Sequence, residues 1–384
     1  MRELLGFCEG EQPWLLDTIR ALATRESPTH DKAAVDACGR ELRQRLEAIG
    51  ARVSVWPQEA VGDHLRAEFS FGDDPAPKQI LMLGHFDTVW DVGQIRTMPV
   101  KEVDGRLHGP GVFDMKAGIA LGMLAARALA TDVLRPTPYA LVMLWTTDEE
   151  TGSDTSRALL EEEARRSEAV LVLEPSLPGG ALKTGRKGCG DFELVIRGVP
   201  AHAGIDPSKG ASAIRELARQ ILRIEQLQEP ARGVTLNVGL VRGGTRANVV
   251  PDEARAVIDV RVPTMADAER VRAALAGLRP QIAGTSLEVR GGIDRPPLER
   301  TDGVVRLYHT ARAVAAELGH DLGEGTTGGG SDGNFTAALA VPTLDGLGAV
   351  GDGAHAPHEH VVVGDLPWRA ALLAGLVKRL SSAF

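Results

Sequence analysis

Acidic and imidazole side chains gather in this sequence where apolar, strand-forming runs end. "KQILMLG" runs into His85-Phe86-Asp87, "YALVMLWTT" into Asp148-Glu149-Glu150, and "AVLVL" into Glu174. Asp114 stands where the loop "HGPGVFD" meets a helix, and "GAHAPHEH" supplies His355 far downstream. Carboxylates brought together push one another toward protonation unless a cation compensates them. Imidazole with carboxylate suits zinc, which in catalytic sites takes three protein ligands and keeps a position open for water. One zinc cannot use so many ligands, but two can. If Asp114 bridges, one ion takes His85 and Glu174 while the other takes Glu150 and His355. Two such ions about 3.5–4 Å apart acidify a shared water toward a pKa of ~7.

Neighbouring residues then find roles. Successive residues leaving a strand point different ways, so Glu150 can ligate while Glu149 faces the water as general base and later proton donor to the leaving amine. His85 and Asp87, two apart in extended chain, share a side, and Asp87 can hold the second imidazole nitrogen. Asp148 is read as a strand-end or supporting group. Taken singly, a strand-end His or Asp is usually a cap, and Glu-Glu before Gly a solvated turn. Convergence from five segments is what argues a site. His30, His64, His309 and His320 lack such company and read as structural, while His358 and His360 are weaker ligand candidates than His355.

These residues need a scaffold. Ligands of open α/β sheets bind beyond the carboxyl ends of the strands. Helices are expected from 13 to about 24, from Pro28 to Gly50, over "DMKAGIALGMLAARALA" and over "SRALLEEEARR". They alternate with the strands "ARVSVW", "HLRAEFSF", "KQILMLGHF", "YALVMLWTT" and "AVLVLEP", with a turn at "DDPAP". That alternation reads as a mainly parallel sheet covered by helices. After "KTGRKGCG" the order becomes β-α-β-β-α-β, the ferredoxin-like split unit. The expected fold is therefore an α/β catalytic domain, 1–187 and 296–384, interrupted by an α+β ferredoxin-like lid and dimerisation domain at 188–295.

Bulk properties narrow the function. The 384 residues exceed one hydrophobic core. A net charge of −9 argues against nucleic-acid or anionic-membrane partners. Apolar runs are strand-length, and the first residues, broken by Glu3, Glu9 and Glu11, lack the apolar stretch of a signal peptide. Cys8, Cys38 and Cys189 are scattered and odd in number, which fits a reducing cytoplasm. Gly328-x-Gly330-x-x-Gly333 formally matches a dinucleotide fingerprint. No apolar strand leads directly into it and no acidic residue follows suitably, so a nucleotide site is discounted.

The motifs "GHFDTV", "GPGVFDMKAG", "TTDEETGS", "LEP", "AHAG", "NVVPDEARAVIDVRVP", "GGGSD" and "GAHAPHE" together resemble the di-zinc carboxypeptidase G/aminoacylase/deacylase family, collinear over nearly the whole chain. "KTGRKG" and "GGIDRPPL" are most similar to glutamate carboxypeptidases. The resemblance implies metal ligands His85, Asp114, Glu150, Glu174 and His355, Glu149 as base, Asp87 as supporting residue, and a cis bond between Asp114 and Met115. Glutamate carboxypeptidases usually carry Asp where this chain has Glu174, a departure that keeps the metal site and bears on the subclass. His202 matches a family His that reaches the partner subunit's active site and stabilises the oxyanion; read alone, it is a loop His with equal claim to turn packing. Asn248 and Arg261 match groups that hold a substrate carboxylate, a task suited to the bidentate guanidinium. Arg295 is a further carboxylate candidate, and Gly329 and Gly330 would line the pocket through backbone N–H groups.

The expectation is a cytoplasmic homodimeric amide hydrolase with two Zn²⁺ per subunit, Co²⁺ or Mn²⁺ being substitutes. Its substrate would be an N-acyl amino acid or short peptide with a free C-terminal carboxylate, such as that of glutamate. The alternative is a deacylase of the acetylornithine or succinyl-diaminopimelate type.

Overall fold

Apolar residues alternate along the central strands and bury both faces. In Gln79–His85, Ile80 and Met82 join a core on one side, and Leu81 and Leu83 one on the other. Ala140–Thr146 divides likewise, with Leu141, Met143 and Trp145 opposite Val142 and Leu144. A period of two with both sides apolar is the mark of a sheet covered by helices on each face. The computed structural model describes residues 1–71, 78–131 and 140–382. The turn read at "DDPAP" and Tyr139 lie outside the described residues.

The main sheet runs Arg52–Trp56, His64–Phe69, Ala140–Thr146, Gln79–His85, Ser167–Val172, Thr343–Leu344. The last four strands are mutually parallel, and the first two pair antiparallel. The central strands end together at Thr146, His85 and Val172, so the residues that follow emerge along one sheet edge. The helices Ala117–Leu129, Asp302–Glu317 and Leu366–Ser382 contribute to one covering core.

The chain forms two compact units. One comprises Met1–Gly185, Arg300–Thr326 and Ser331–Phe384; the other comprises Arg186–Glu299 and Thr327–Gly330. In the second, a four-stranded antiparallel sheet has the order Thr235–Gly243, Glu253–Val262, Gly188–Arg197, Ser286–Gly291. Its helices are Ala213–Glu225 and Met265–Ala276. That is the strand order of a split βαβ unit, with its own core of Phe192, Leu194, Leu217, Ile258 and neighbours.

Three local expectations change. A helix at Arg2–Gly10 precedes the first one expected, burying Leu4 and Cys8 despite its two glutamates. The helix expected from Asp114 starts at Ala117, because Asp114 and Met115 have non-helical backbone across a cis peptide bond. The residues after Thr146 are not extended, since Glu149–Thr151 form a single helical turn. A further small sheet, Gly351–Asp352, His360–Val362, Arg106–His108 and Lys101–Val103, consists of strands too short to show a period. Among the described residues no helix is long and apolar enough to cross a membrane.

Candidate metal centre

Two clusters of three side chains share Asp114. His85 Nε2 lies 3.4 Å from Asp114 Oδ1 and 3.4 Å from Glu174 Oε1. His355 Nε2 lies 3.4 Å from Asp114 Oδ2 and 3.2 Å from Glu150 Oε2. Each oxygen of Asp114 faces one imidazole, and within each triad the ligand atoms lie within 4.8 Å of one another. The residues fit a cation pair on their own geometry. His85 Nε2, Asp114 Oδ1 and Glu150 Oε1 are buried without a hydrogen-bond partner, an arrangement that protein interiors avoid unless another group completes it.

The electrostatics agree. Asp114 and Glu150 hold the His355 imidazolium, pushing its pKa up to about 10. Burial alone would lower His85, but Asp114, Asp87 and Glu174 hold it well above the usual imidazole range. Burial also opposes ionisation of Asp114, yet His355 and His85 keep it far below the carboxylate range. For Glu150, burial prevails and raises the pKa. Three carboxylates here demand positive charge.

Each candidate ligand is set by a distinct local device. His85 ends the central strand, and its Nδ1 lies 3.1 Å from the Asp87 carbonyl and 3.3 Å from Asp87 Oδ1, leaving Nε2 for the cluster. Fully buried Asp87 accepts from Thr29 Oγ1 at 2.7 Å and from Glu150 N–H at 3.3 Å, so it also touches the second cluster's loop. Glu174 follows the strand Ser167–Val172, and its carbonyl accepts from Gly348 N–H. Beside it, a Cβ on Gly118 would sit 2.1 Å from the Leu173 carbonyl, so only glycine lets that helix approach so closely. His355 takes the left-handed conformation at φ 60° between the short strands Gly351–Asp352 and His360–Val362.

Glu149 and Glu150 diverge through rotation within one tight helical turn, about 120° per residue, rather than through strand alternation. Asp148 anchors that turn, accepting from Thr155 N–H and Oγ1, both at 2.7 Å, and from Ser156 N–H at 3.3 Å. Asp332 braces it from its two sides, accepting from Thr146 Oγ1 at 3.0 Å and Ser153 Oγ at 2.5 Å. Thr29, Ser153 and Asp332 escaped the sequence reading. "GGGSD" drew attention to its glycines, whereas its aspartate reaches the turn bearing Glu149.

In the second unit, His202 Nδ1 accepts from Gly204 N–H and Ile205 N–H, each at 3.1 Å, which leaves the proton of the neutral ring on Nε2. Asn248 is adjacent: its carbonyl accepts from Ala203 N–H, and His202 pairs with Val249. Arg261 and Arg295 form another group, since Cys189 pairs with Arg261 in the sheet and with Arg295 by an isolated bridge. Arg261 grips Asp259 through Nε and Nη2 at 3.0 and 2.8 Å. Arg186 Nη1 donates to the carbonyls of Gly329 and Gly330, and Gly330 packs on the Arg295 side chain. Asn248 precedes the strand Glu253–Val262 and Arg261 sits near its far end. Positions 253 and 261 are roughly 26 Å apart at strand spacing, so one copy of the unit does not bring Asn248 and Arg261 together.

The other histidines stay apart from the triads. His64 is buried between Thr147 and Thr155, His320 stacks on Trp368, His309 lies beside Tyr308, and His30 faces Asp91. His360 packs on His108, and His358 is exposed near Asp352. None of the three cysteines joins either triad.

Residues 81–379 match Peptidase family M20/M25/M40. The chain is similar to carboxypeptidase G2 of Pseudomonas sp. (strain RS-16), at 29% identity over 97% of this chain and 90% of that protein. It is also similar to a succinyl-diaminopimelate desuccinylase of Xanthomonas oryzae pv. oryzae (strain MAFF 311018), at 30% identity over 95% of this chain and 98% of that one. Among solved structures, aminopeptidase PepT of Bacillus cereus ATCC 10987 shares the fold with a TM-score of 0.79 and 23% identity, over 96% of this chain and 98% of that. A Bacillus subtilis protein described as a dinuclear metal binding peptidase from M20 family shares it with a TM-score of 0.71 and 18% identity, over 98% and 100%.

Proposed function

We propose, starting from a chain that belongs to Peptidase family M20/M25/M40 and is a hydrolytic enzyme, that it is a two-zinc amidase for N-acyl amino acids or short peptides ending in a free carboxylate. The observation that carries this reading is the pair of triads joined through Asp114. His85 and Glu174 would hold one ion, Glu150 and His355 the other, with Asp114 common to both. Such ions supply Lewis-acid charge for the scissile carbonyl and acidity for the attacking water. Nitrogen and oxygen ligands favour zinc, and Co²⁺ or Mn²⁺ would substitute.

The chain's own groups do the rest. Glu149 takes the proton of the attacking water and returns it to the departing nitrogen. Asp87 orients the His85 ring. His202 presents an Nε2–H donor to the oxygen that gains charge at the carbonyl carbon. Arg295 and Arg261 meet the substrate carboxylate, beside the Gly329–Gly330 backbone. The separation of Asn248 and His202 from the arginines supports supply of the first pair by a partner subunit. Thr235–Gly243 favours a homodimer through 188–295, being an edge strand that exposes Leu240 and Val241. The domain roles follow: chemistry in 1–187 and 296–384, lid and dimer contacts in 188–295. We place the enzyme in the cytoplasm, where its three unpaired cysteines would stay reduced.

Similarity to carboxypeptidase G2 along nearly the full chain favours a substrate with a free C-terminal carboxylate, the motif resemblance points to glutamate there, and similarity to the desuccinylases keeps acyl-diamino acids as the alternative. Comparing kcat/KM for acyl-glutamates, dipeptides and acylated diamino acids, before and after chelation and Zn²⁺ reloading, tests both. Indifference to a C-terminal carboxylate, or full activity without metal, would refute the proposal.

A further inference from the structure

Glu359 lies four residues after His355, and its side chain is fully buried. Its Oε1 accepts from the backbone N–H of Phe113 at 2.9 Å and of Asp114 at 3.0 Å. Its Oε2 accepts from the N–H of Gly111 at 2.9 Å and from Trp90 Nε1 at 2.8 Å. Four donors thus converge on one carboxylate, three of them amides of the loop that presents Asp114. Gly111, at φ 70°, turns this loop in a conformation that suits glycine. The backbone of Glu359 is tied as well, donating to the Ala356 carbonyl at 3.0 Å and accepting from Gly109 N–H at 3.4 Å.

We propose that Glu359 is a positioning residue for the two-metal centre: its carboxylate holds the loop that presents Asp114 and ties it to the segment that presents His355. The inference rests on the reading above that the two triads bind cations. Only an acceptor at both oxygens meets four N–H donors, and hydrogen bonds to an ionised carboxylate are among the stronger kinds. Glutamine has the same shape, but its amide would set two hydrogens against two donors. Asp114 serves both triads, so a slack loop weakens both ions. Loss of His85 or His355 instead removes a ligand from only one.

The test is stepwise loading of metal-free protein with Zn²⁺ by calorimetry and with Co²⁺ by visible absorption, for the parent chain, Glu359→Gln and Trp90→Phe. Thermal unfolding of each metal-free form is measured alongside. For Glu359→Gln both binding steps weaken by about 10–100-fold, the usual range for a lost supporting contact, and the Co²⁺ spectrum changes. Trp90→Phe removes one donor of four and shifts affinity the same way by less. Parental affinities and spectrum in Glu359→Gln, even with a lower unfolding temperature, would overturn the proposal by reducing Glu359 to a fold-stabilising group. If that variant does not fold, unchanged affinity and spectrum in Trp90→Phe overturns it. A parent chain that takes up no metal would instead refute the two-cation reading itself.

Discussion

Loading the metal-free centre with divalent cations expels protons, and the number follows from the geometry. His355 meets two carboxylates through Nε2, the nitrogen that would ligate, and its pKa of about 10 keeps that nitrogen protonated at neutral pH. A group with that pKa is deprotonated in about one molecule in a thousand at pH 7 and one in ten at pH 9. Affinity for the ion that uses His355 therefore rises by up to about 100-fold between those pH values. Its side chain is 52% exposed, and solvent screening brings the expected rise toward about 10-fold. An imidazole of ordinary pKa would give only about 1.3-fold. His85, also held above the usual range by Asp114, Asp87 and Glu174, contributes in the same direction. Calorimetry at pH 7.5 in buffers of different ionisation enthalpy then reads more than one proton released per two ions bound, about one from His355 with His85 and the acidified water adding to it. The stability sign runs oppositely. A raised imidazole pKa stabilises the metal-free fold fully below about pH 6.5, and that contribution is lost as pH climbs through about 10. Metal-free protein thus melts progressively lower from pH 6.5 to 10. Proton release below about half an equivalent, with affinity flat from pH 7 to 9, would refute the charge balance.

Glu149→Gln keeps both ions but lowers kcat by about 10²–10⁴-fold, the usual contribution of a general base; metal analysis with steady-state kinetics checks it, and near-parental kcat removes Glu149 from that role. An equal mixture of inactive His202→Ala and Glu149→Gln chains, allowed to exchange subunits, regains about a quarter of parental activity if His202 acts across a two-fold dimer. No recovery, despite exchange shown by mass-tagged chains, means that His202 works within its own chain. Ser153→Ala strips Asp332 of a buried donor, costing about 1–3 kcal/mol; a lowered unfolding temperature with a fall in kcat larger than any change in KM is expected, and unchanged kcat would detach that brace from catalysis.

The convergence of candidate ligands was legible in the sequence where residue type coincides with a strong period. His85, Glu150 and Glu174 stand at or just beyond the ends of apolar strands, and the parallel core brings those ends together. Asp114 and His355 were legible as residue types, but their placement depends on strands of two or three residues and a non-helical turn, which carry no periodic signature. The divergence of Glu149 from Glu150 was anticipated for the wrong geometric reason, because a tight turn and an extended chain both separate neighbouring side chains. Thr29, Ser153 and Asp332 act through contacts to residues 58 to 186 positions distant, and no local pattern announces them. For Asn248 and Arg261, residue type alone could not say that an antiparallel strand runs between them.

All five proposed metal ligands and Glu149 belong to the unit built from both ends of the chain, while His202, Asn248, Arg261 and Arg295 belong to the intervening one. The intervening stretch enters and leaves along paired backbone, with Arg186 bonded to Leu298 and Cys189 to Arg295. Its two ends are therefore neighbours, and a short linker could replace everything between them. On the proposed roles, such a pruned chain would keep the five metal ligands and Glu149 but forfeit the oxyanion donor His202 along with the arginines that meet the substrate carboxylate. On the same proposed roles, variation around Arg261 and Arg295 would redirect substrate choice without touching the metal ligands.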